Sequence, residues 1–140
     1  MSAKPDVLRA LGSAVRALRA RLDRELQTAG LRLGQYQVMR VLWERDGITP
    51  REISDDLGVE MPTVTRTVQR MERDGLVRRE AHPADARSVR IYLTPRGASL
   101  REPVMRMLDE QTELALRSIA PPERRVLVDF LQRMYANARG

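Results

Sequence analysis

The sequence predicts a mainly α-helical fold with a small β-wing: a winged helix-turn-helix flanked by N- and C-terminal helices. Three observations predict it. From Thr49 to Gly75 the chain reads as helix, glycine turn, helix. Two strand-like runs follow directly, residues 76–80 and 89–93, around a polar, turn-rich segment at 82–88. Long amphipathic stripes bracket this unit at both ends of the 140-residue chain.

In order, Leu8, Leu11, Val15, Leu18, Leu22 and Leu26 recur every three or four residues, so residues 6–28 form one long helix closed by Gly30. Residues 35–45 follow as a helix apolar nearly all round, through Tyr36, Val38, Met39, Val41, Leu42 and Trp43, and therefore central. Ile48-Thr49 reads as a short strand. Thr49-Pro50-Arg51-Glu52 then combines an N-cap, a proline in the first turn and a capping-box glutamate. The helix so started ends at Gly58, and Ile53, Leu57 and Val59 supply its apolar side.

The next helix spans residues 61–75. At about 100° per residue, Met61, Val64, Val68 and Met71 share one side, while Pro62, Arg66, Gln69, Arg70 and Arg73 share the other, with Thr63 beside them. One face packs on a core and the other fits a DNA groove. Met61 stands at the N-cap without a side-chain oxygen, so the open helix end faces either water or a phosphate.

Thr94-Pro95 restarts the chain as a helix carrying Leu100, Val104, Met107, Leu108, Leu114 and Leu116. Pro103 falls beyond its first turn and is expected to bend the axis or free a carbonyl. Pro121-Pro122-Glu123 starts a last helix with Val126, Leu127, Phe130, Leu131, Met134 and Tyr135. The stripes of the first and last helices are wider than a lone winged helix can cover. The economical arrangement packs them together and against a second subunit, with a monomeric helical domain as the alternative. The expected segments are an N-terminal dimerisation helix at 1–33, the DNA-binding unit at 34–94 and C-terminal dimerisation helices at 95–140.

Composition narrows the function. The net charge is +6, and residues 61–96 hold eight arginines against four acids, which favours a polyanionic partner. The absence of Cys and the single histidine, His82, remove thiolate and multi-imidazole metal sites, cysteine nucleophiles and a catalytic triad. No catalytic residue, metal or cofactor is therefore expected, and the chain is not read as an enzyme. It has no apolar run of membrane-spanning length, and its first ten residues lack a signal segment. A cytoplasmic, nucleoid-associated protein is expected.

The order of elements resembles that of the MarR/SlyA family of bacterial transcription regulators over nearly the whole chain. The most specific part is the wing, Asp85-Ala86-Arg87-Ser88-Val89-Arg90-Ile91-Tyr92-Leu93-Thr94-Pro95-Arg96-Gly97, which is similar to the family's Asp-x-Arg motif, strand and helix start. The runs from Gly58 to Thr67 and from Met71 to Val77 are similar to the recognition helix and its exit. The resemblance implies a homodimer on palindromic double-stranded operator DNA. It also implies repression, and release by a small aromatic or phenolic acid. Many relatives have Arg where this chain has Ala86, so the wing contact is expected to rest on Arg87 alone.

Arg66 is the expected base reader, its guanidinium matching guanine O6 and N7. The bland alternative is a solvated Arg66, or one paired with Glu72 or Asp74. By resemblance, Pro62 and Thr63 touch thymine methyls or phosphates. Thr65 and Thr67 flank the groove face and bond phosphates; Gln69 and Arg70 lie farther along it, and plain surface is their alternative. Arg87 is expected in the minor groove, and Asp85 is read as holding an arginine in place. His82 is read as a turn residue. For the effector, the family's pocket location implies Arg16, Tyr36, Met39, Arg40 and Trp43, although such a set at helical spacing is also what a core looks like. The rival reading is a non-catalytic winged helix for protein contact or architectural DNA binding.

Overall fold

Asp6 opens the first helix by accepting the Arg9 N–H at 3.0 Å, and α1 then runs Val7–Gln27. The structure is a computed structural model that describes residues 5–140, the side chain of Ala86 excepted; residues 1–4 of the expected first segment lie outside the described residues. Gly30, at φ 77°, reverses the chain into α2 (Leu33–Glu44). Then come α3 (Pro50–Leu57), α4 (Met61–Arg73), β1 (Val77–His82), β2 (Asp85–Leu93), α5 (Pro95–Ser99), α6 (Arg101–Leu116) and α7 (Pro121–Arg139). The fold is mainly helical with a two-stranded antiparallel wing, as the sequence pattern predicts.

The chain divides into two compact units, Met1–Arg106 and Met107–Gly140. In the first, α2 is the hub. Met39 and Leu42 have no exposed surface, and Tyr36, Val38, Val41 and Trp43 are buried around them. Leu26, Leu31, Ile53, Val64, Met71, Leu76 and Ile91 are equally enclosed. Each such side chain contributes about 1.5–3 kcal/mol of transfer free energy, before the entropic cost of ordering it. In the second unit, Arg124 organises the turn into α7: its Nη1 donates to Glu113, its Nε to the Ile119 carbonyl and its Nη2 to the Leu116 carbonyl. Helix α7 buries no residue, and Val126, Val128, Phe130 and Tyr135 are about half exposed or more.

The caps around the central pair of helices follow the sequence closely. Thr49 Oγ1 accepts the Glu52 N–H at 3.1 Å, and Gly58 closes α3 in the left-handed region. The start of α4 differs from expectation. Glu60, not Met61, is the N-cap, and no side chain caps that end. Met61 already has helical backbone geometry, and the N–H groups of Thr63 and Val64 bond the Glu60 carbonyl. Pro62, without an N–H, fits the first turn at no hydrogen-bond cost.

The helix expected to run on from Pro95 is two segments meeting at Leu100. Because α6 restarts at Arg101, Pro103 lies in its first turn, where proline needs no acceptor. The break removes the bend that Pro103 was expected to force.

The hairpin is longer than its sequence suggests. Pairing runs from Val77↔Leu93 to Ala81↔Val89 and then jumps to His82↔Asp85. Asp85, Arg87 and Ser88 therefore belong to β2, and only Pro83 and Ala84 connect the strands. Asp, Ser and Pro favour turns locally, but a ladder already in register carries such residues along. The jump is a β-bulge, which aims side chains away from the regular pleat. At the wing's base Gly47 N donates to the Ile91 carbonyl and Ile91 N to the Ile48 carbonyl, so the expected short strand at Ile48 extends the sheet.

Candidate nucleic-acid interface

Helix α4 is held from behind and at its C-terminal end. Val64, Val68 and Met71 are buried, which fixes its roll. Gln35 on α2, itself buried, donates through Nε2 to Asp74 Oδ2 at 2.9 Å. Arg96 on α5 donates to the Asp74 carbonyl at 2.6 Å, and Thr94 Oγ1 to the Gly75 carbonyl at 2.6 Å. The indole of Trp43 donates to the Gly97 carbonyl at 3.0 Å. The bonds from Arg96 and Thr94 satisfy the carbonyls at the helix exit, Gln35 ties that exit to α2, and Trp43 ties α2 to α5.

The opposite face is open. Pro62, Thr63, Thr65, Arg66, Gln69, Arg70 and Arg73 are exposed, and Thr67 is half-buried at the edge. Neither acid that could neutralise Arg66 does so. Glu72 is bonded by Arg79, at 3.3 Å to Nε and 3.1 Å to Nη2, and the side chain of Asp74 accepts from Gln35. Arg66, Arg70 and Arg73 have no hydrogen-bond or ion-pair partner among the described residues.

The wing sorts its arginines the same way. Arg78 lies 4.8 Å over the Tyr92 ring and pairs with Glu80. Arg79 is committed to Glu72, and Arg90 Nη1 donates to the Gly47 carbonyl at 3.2 Å. Arg87, at the bulge, has an exposed guanidinium without a partner among the described residues. Asp85 does not hold an arginine side chain, contrary to expectation. Its Oδ1 accepts the main-chain N–H of Arg87 at 3.0 Å, an Asx-type turn that fixes the backbone and leaves the guanidinium free. His82, expected in the turn, is instead the last residue of β1, and its Nδ1 accepts the Ala84 N–H of the turn that follows.

The five residues read as effector contacts are placed unevenly. Met39 and Trp43 are core residues, and the single indole N–H of Trp43 is already used. Tyr36 is buried, with its ring centroid 6.4 Å from that of Trp43 and its hydroxyl 3.5 Å from Arg40 Nη1. Arg16 and Arg40 are exposed, and Arg16 donates to Ser13.

Sequence reasoning missed a second polar cluster. Asp23 on α1 accepts Arg32 Nε and Nη2, both at 3.1 Å, and the Leu33 N–H at 3.0 Å. The bonds from Arg32 and then Leu33 hold the Asp23 carboxyl below the usual carboxylate range. Gln35 Oε1 caps the same helix start through the Arg32 N–H. The only sequence signal for this cluster was a glutamine three residues into α2, a weak half of a capping box.

Comparison with known proteins agrees with this geometry. The MarR family model matches residues 31–89. The HTH-type transcriptional regulator TtmR of Methylorubrum extorquens (strain PA1) is 35% identical over 100 residues, 71% of this chain. That match spans 50% of TtmR, so the chain covers about half of that relative's length. An uncharacterized HTH-type transcriptional regulator of Bacillus subtilis (strain 168), YwoH, is 31% identical over 105 residues, 74% of this chain and 76% of YwoH. Among solved structures, the transcriptional regulator SlyA superposes with a TM-score of 0.88 at 28% identity, over 96% of this chain and 94% of that one. A MarR family regulator from Listeria monocytogenes, crystallised with a 26mer DNA, superposes with a TM-score of 0.86 at 24% identity, over 96% of this chain and 89% of its own.

Proposed function

Because the chain belongs to the MarR family of DNA-binding transcriptional regulators, we propose that it acts as a homodimeric repressor on a palindromic operator and is released by a small aromatic or phenolic acid. One observation carries the reading. Among the described residues, Arg66, Arg70 and Arg73 on α4 and Arg87 on the wing have no partner, while the arginines around them are committed within the fold. Leaving several like charges side by side is unfavourable unless a polyanion completes them.

In this reading 34–94 is the DNA-binding unit, and 1–33 with 95–140 form the dimer body. Two α4 helices enter successive major grooves, with half-site centres about 10 bp apart. Arg66 reads a guanine edge. Pro62, Thr63, Thr65, Thr67, Gln69 and Arg70 set the register through methyl and phosphate contacts, and Arg87 enters the minor groove beside α4. Asp85 supports Arg87 by fixing its backbone. The exposed apolar side chains of α1 (Val7, Leu8, Val15, Leu18) and α7 (Val126, Val128, Phe130, Tyr135) support burial against a second copy. Arg16, Tyr36 and Arg40 offer an effector two cations and a phenol, with Met39 and Trp43 as rigid backing. An effector that prefers the non-binding arrangement about 100-fold shifts the operator equilibrium by about 2.7 kcal/mol.

The direct test is selection of genomic fragments by the full chain, followed by footprinting and titration at 150 mM salt. The expected result is a palindromic footprint, bound roughly 10³-fold or more over random DNA. Equal affinity for random DNA defeats the reading.

A further inference from the structure

A side chain from each strand ties the wing to the helical part of its unit. On β1, Arg79 reaches Glu72 of α4. On β2, Arg90 reaches the loop between α2 and α3, where its Nη1 donates to the Gly47 carbonyl at 3.2 Å. That loop is pressed closely against β2. Asp46 Oδ1 accepts the Leu93 N–H at 2.8 Å, and a β-carbon on Gly47 would meet the Tyr92 ring at 2.5 Å. The φ of 70° at Gly47 is one that glycine adopts without strain.

Stability alone does not account for an arginine at position 90. Its Nε is buried and has no hydrogen-bond partner among the described residues, an arrangement that costs free energy. Glu80, directly opposite in the ladder, gives its carboxylate to Arg78 instead. An apolar side chain of similar length would fill the space without leaving a polar group unpaired. What the guanidinium adds is direction. Above Ala81↔Val89 the ladder jumps to His82↔Asp85, so Arg87 has no ladder partner among the described residues. The path of the bulge, and with it the aim of Arg87, therefore depends on how β2 is held at Val89-Arg90.

We propose that Arg90 is a positioning residue for the minor-groove contact: its bond to Gly47 fixes the wing on the α2–α3 loop and so aims Arg87 at the DNA. This inference rests on the operator-binding function proposed above.

The test is a double-mutant cycle on operator affinity in the full chain, with Arg90→Met made in the parent and in Arg87→Ala, beside amide exchange without DNA. Arg90→Met is expected to keep the urea midpoint at or above the parent value. It should speed exchange of the Gly47 and Ile91 amides at least fivefold, a local opening, and weaken operator binding threefold to tenfold. In Arg87→Ala the same change is expected to alter affinity less than twofold, because the residue it acts through is gone. Tyr92→Leu loosens the same seat from the ring side and is expected to repeat the pattern, so it decides the matter if Arg90→Met does not fold. Unchanged operator affinity or unchanged exchange overturns the proposal. Equal losses in the two backgrounds also overturn it, since Arg90 then touches DNA itself. Faster exchange in a chain that selects no operator upholds the clamp on Gly47 and defeats the operator function instead.

Discussion

Arg79 on β1 grips Glu72 on α4 through two bonds, Nε to Oε2 at 3.3 Å and Nη2 to Oε1 at 3.1 Å. The pair is surface-exposed and so stabilises the fold by no more than about 1 kcal/mol. Its larger effect is on the interface, because it ties the helix carboxylate to the wing. Arg79→Ala is expected to change the urea midpoint little while weakening operator binding, since the freed Glu72 carboxylate repels phosphate. Equal operator affinity at low salt in parent and variant would show that the pair has no electrostatic role at the DNA.

Arg66 is the clearest single test of base reading. Its guanidinium is exposed, and both candidate acids are engaged elsewhere. Arg66→Ala is expected to cost roughly 1–3 kcal/mol against the preferred operator and to relax base preference at one position per half-site. Competition titrations with single-base operator variants measure this. An unchanged preference at every position would remove Arg66 from the reading edge.

Arg87 should behave differently, because its contact is with groove potential and backbone. Arg87→Ala is expected to weaken specific and random DNA alike and to lower the salt slope by about 1. Asp85→Ala is expected to give a milder form of the same phenotype, since it loses only the bond that fixes the Arg87 backbone. Loss of base preference with the salt slope intact would move Arg87 from backbone contact to sequence reading.

The sequence pattern made the helices legible because their signals are local. Asp6, Thr49-Pro50, Gly58 and Thr94-Pro95 each act within one turn, and all sit where the caps and breaks occur. The apolar face of α4 was readable for the same reason. Features that depend on contacts distant in sequence were not. The bonds from Gln35 to Asp74 and from Arg101 to the Trp43 carbonyl join residues 39 and 58 positions apart. The wing's length was missed because register, not residue type, extends it. Arg66 was recognised as a candidate from its helix position, but whether Glu72 or Asp74 would silence it depended on Arg79 and Gln35.

Gly97 marks the tightest packing between α5 and the wing base. A β-carbon there would run into the Leu76 carbonyl, and the Gly97 carbonyl is the acceptor for the buried Trp43 indole. Backbone on that side has no slack. Gly97→Ala is expected to destabilise the fold by about 2 kcal/mol or more, in the range of overpacking combined with a strained buried hydrogen bond. Chemical denaturation followed by Trp43 fluorescence measures it directly, and a loss below about 0.5 kcal/mol, the usual surface range, would mean that α5 shifts freely.

Asp23 gives the pH dependence. Its folded-state pKa is lowered, chiefly by the bonds from Arg32 and then from the Leu33 N–H. A group depressed in this way contributes stability above its unfolded value near 3.9 and loses it as pH falls through the folded value. The acid limb of a urea-midpoint curve should therefore be shallower in Asp23→Asn, which should also be less stable than the parent near pH 7. Parallel curves for the two proteins would show that the Asp23–Arg32 pair adds nothing to folding.

The exposed apolar face of α7 sets the last expectation. Val126, Val128, Phe130 and Tyr135 are 49–59% exposed, and no residue of the helix is buried. A face of this kind on a DNA-binding chain gains most by meeting its own copy, since two linked half-site contacts convert the second into an intramolecular event. Such linkage raises apparent affinity by about 10²–10⁴ without any new DNA contact. Phe130→Glu places a charge on this apolar surface and is expected to shift the chain from dimer to monomer in analytical ultracentrifugation. Operator affinity should fall by a similar factor of about 10²–10⁴, while binding to an isolated half-site stays near the parent value. A Phe130→Glu protein that remains dimeric and binds the full operator as tightly as the parent would place the dimer contact away from α7.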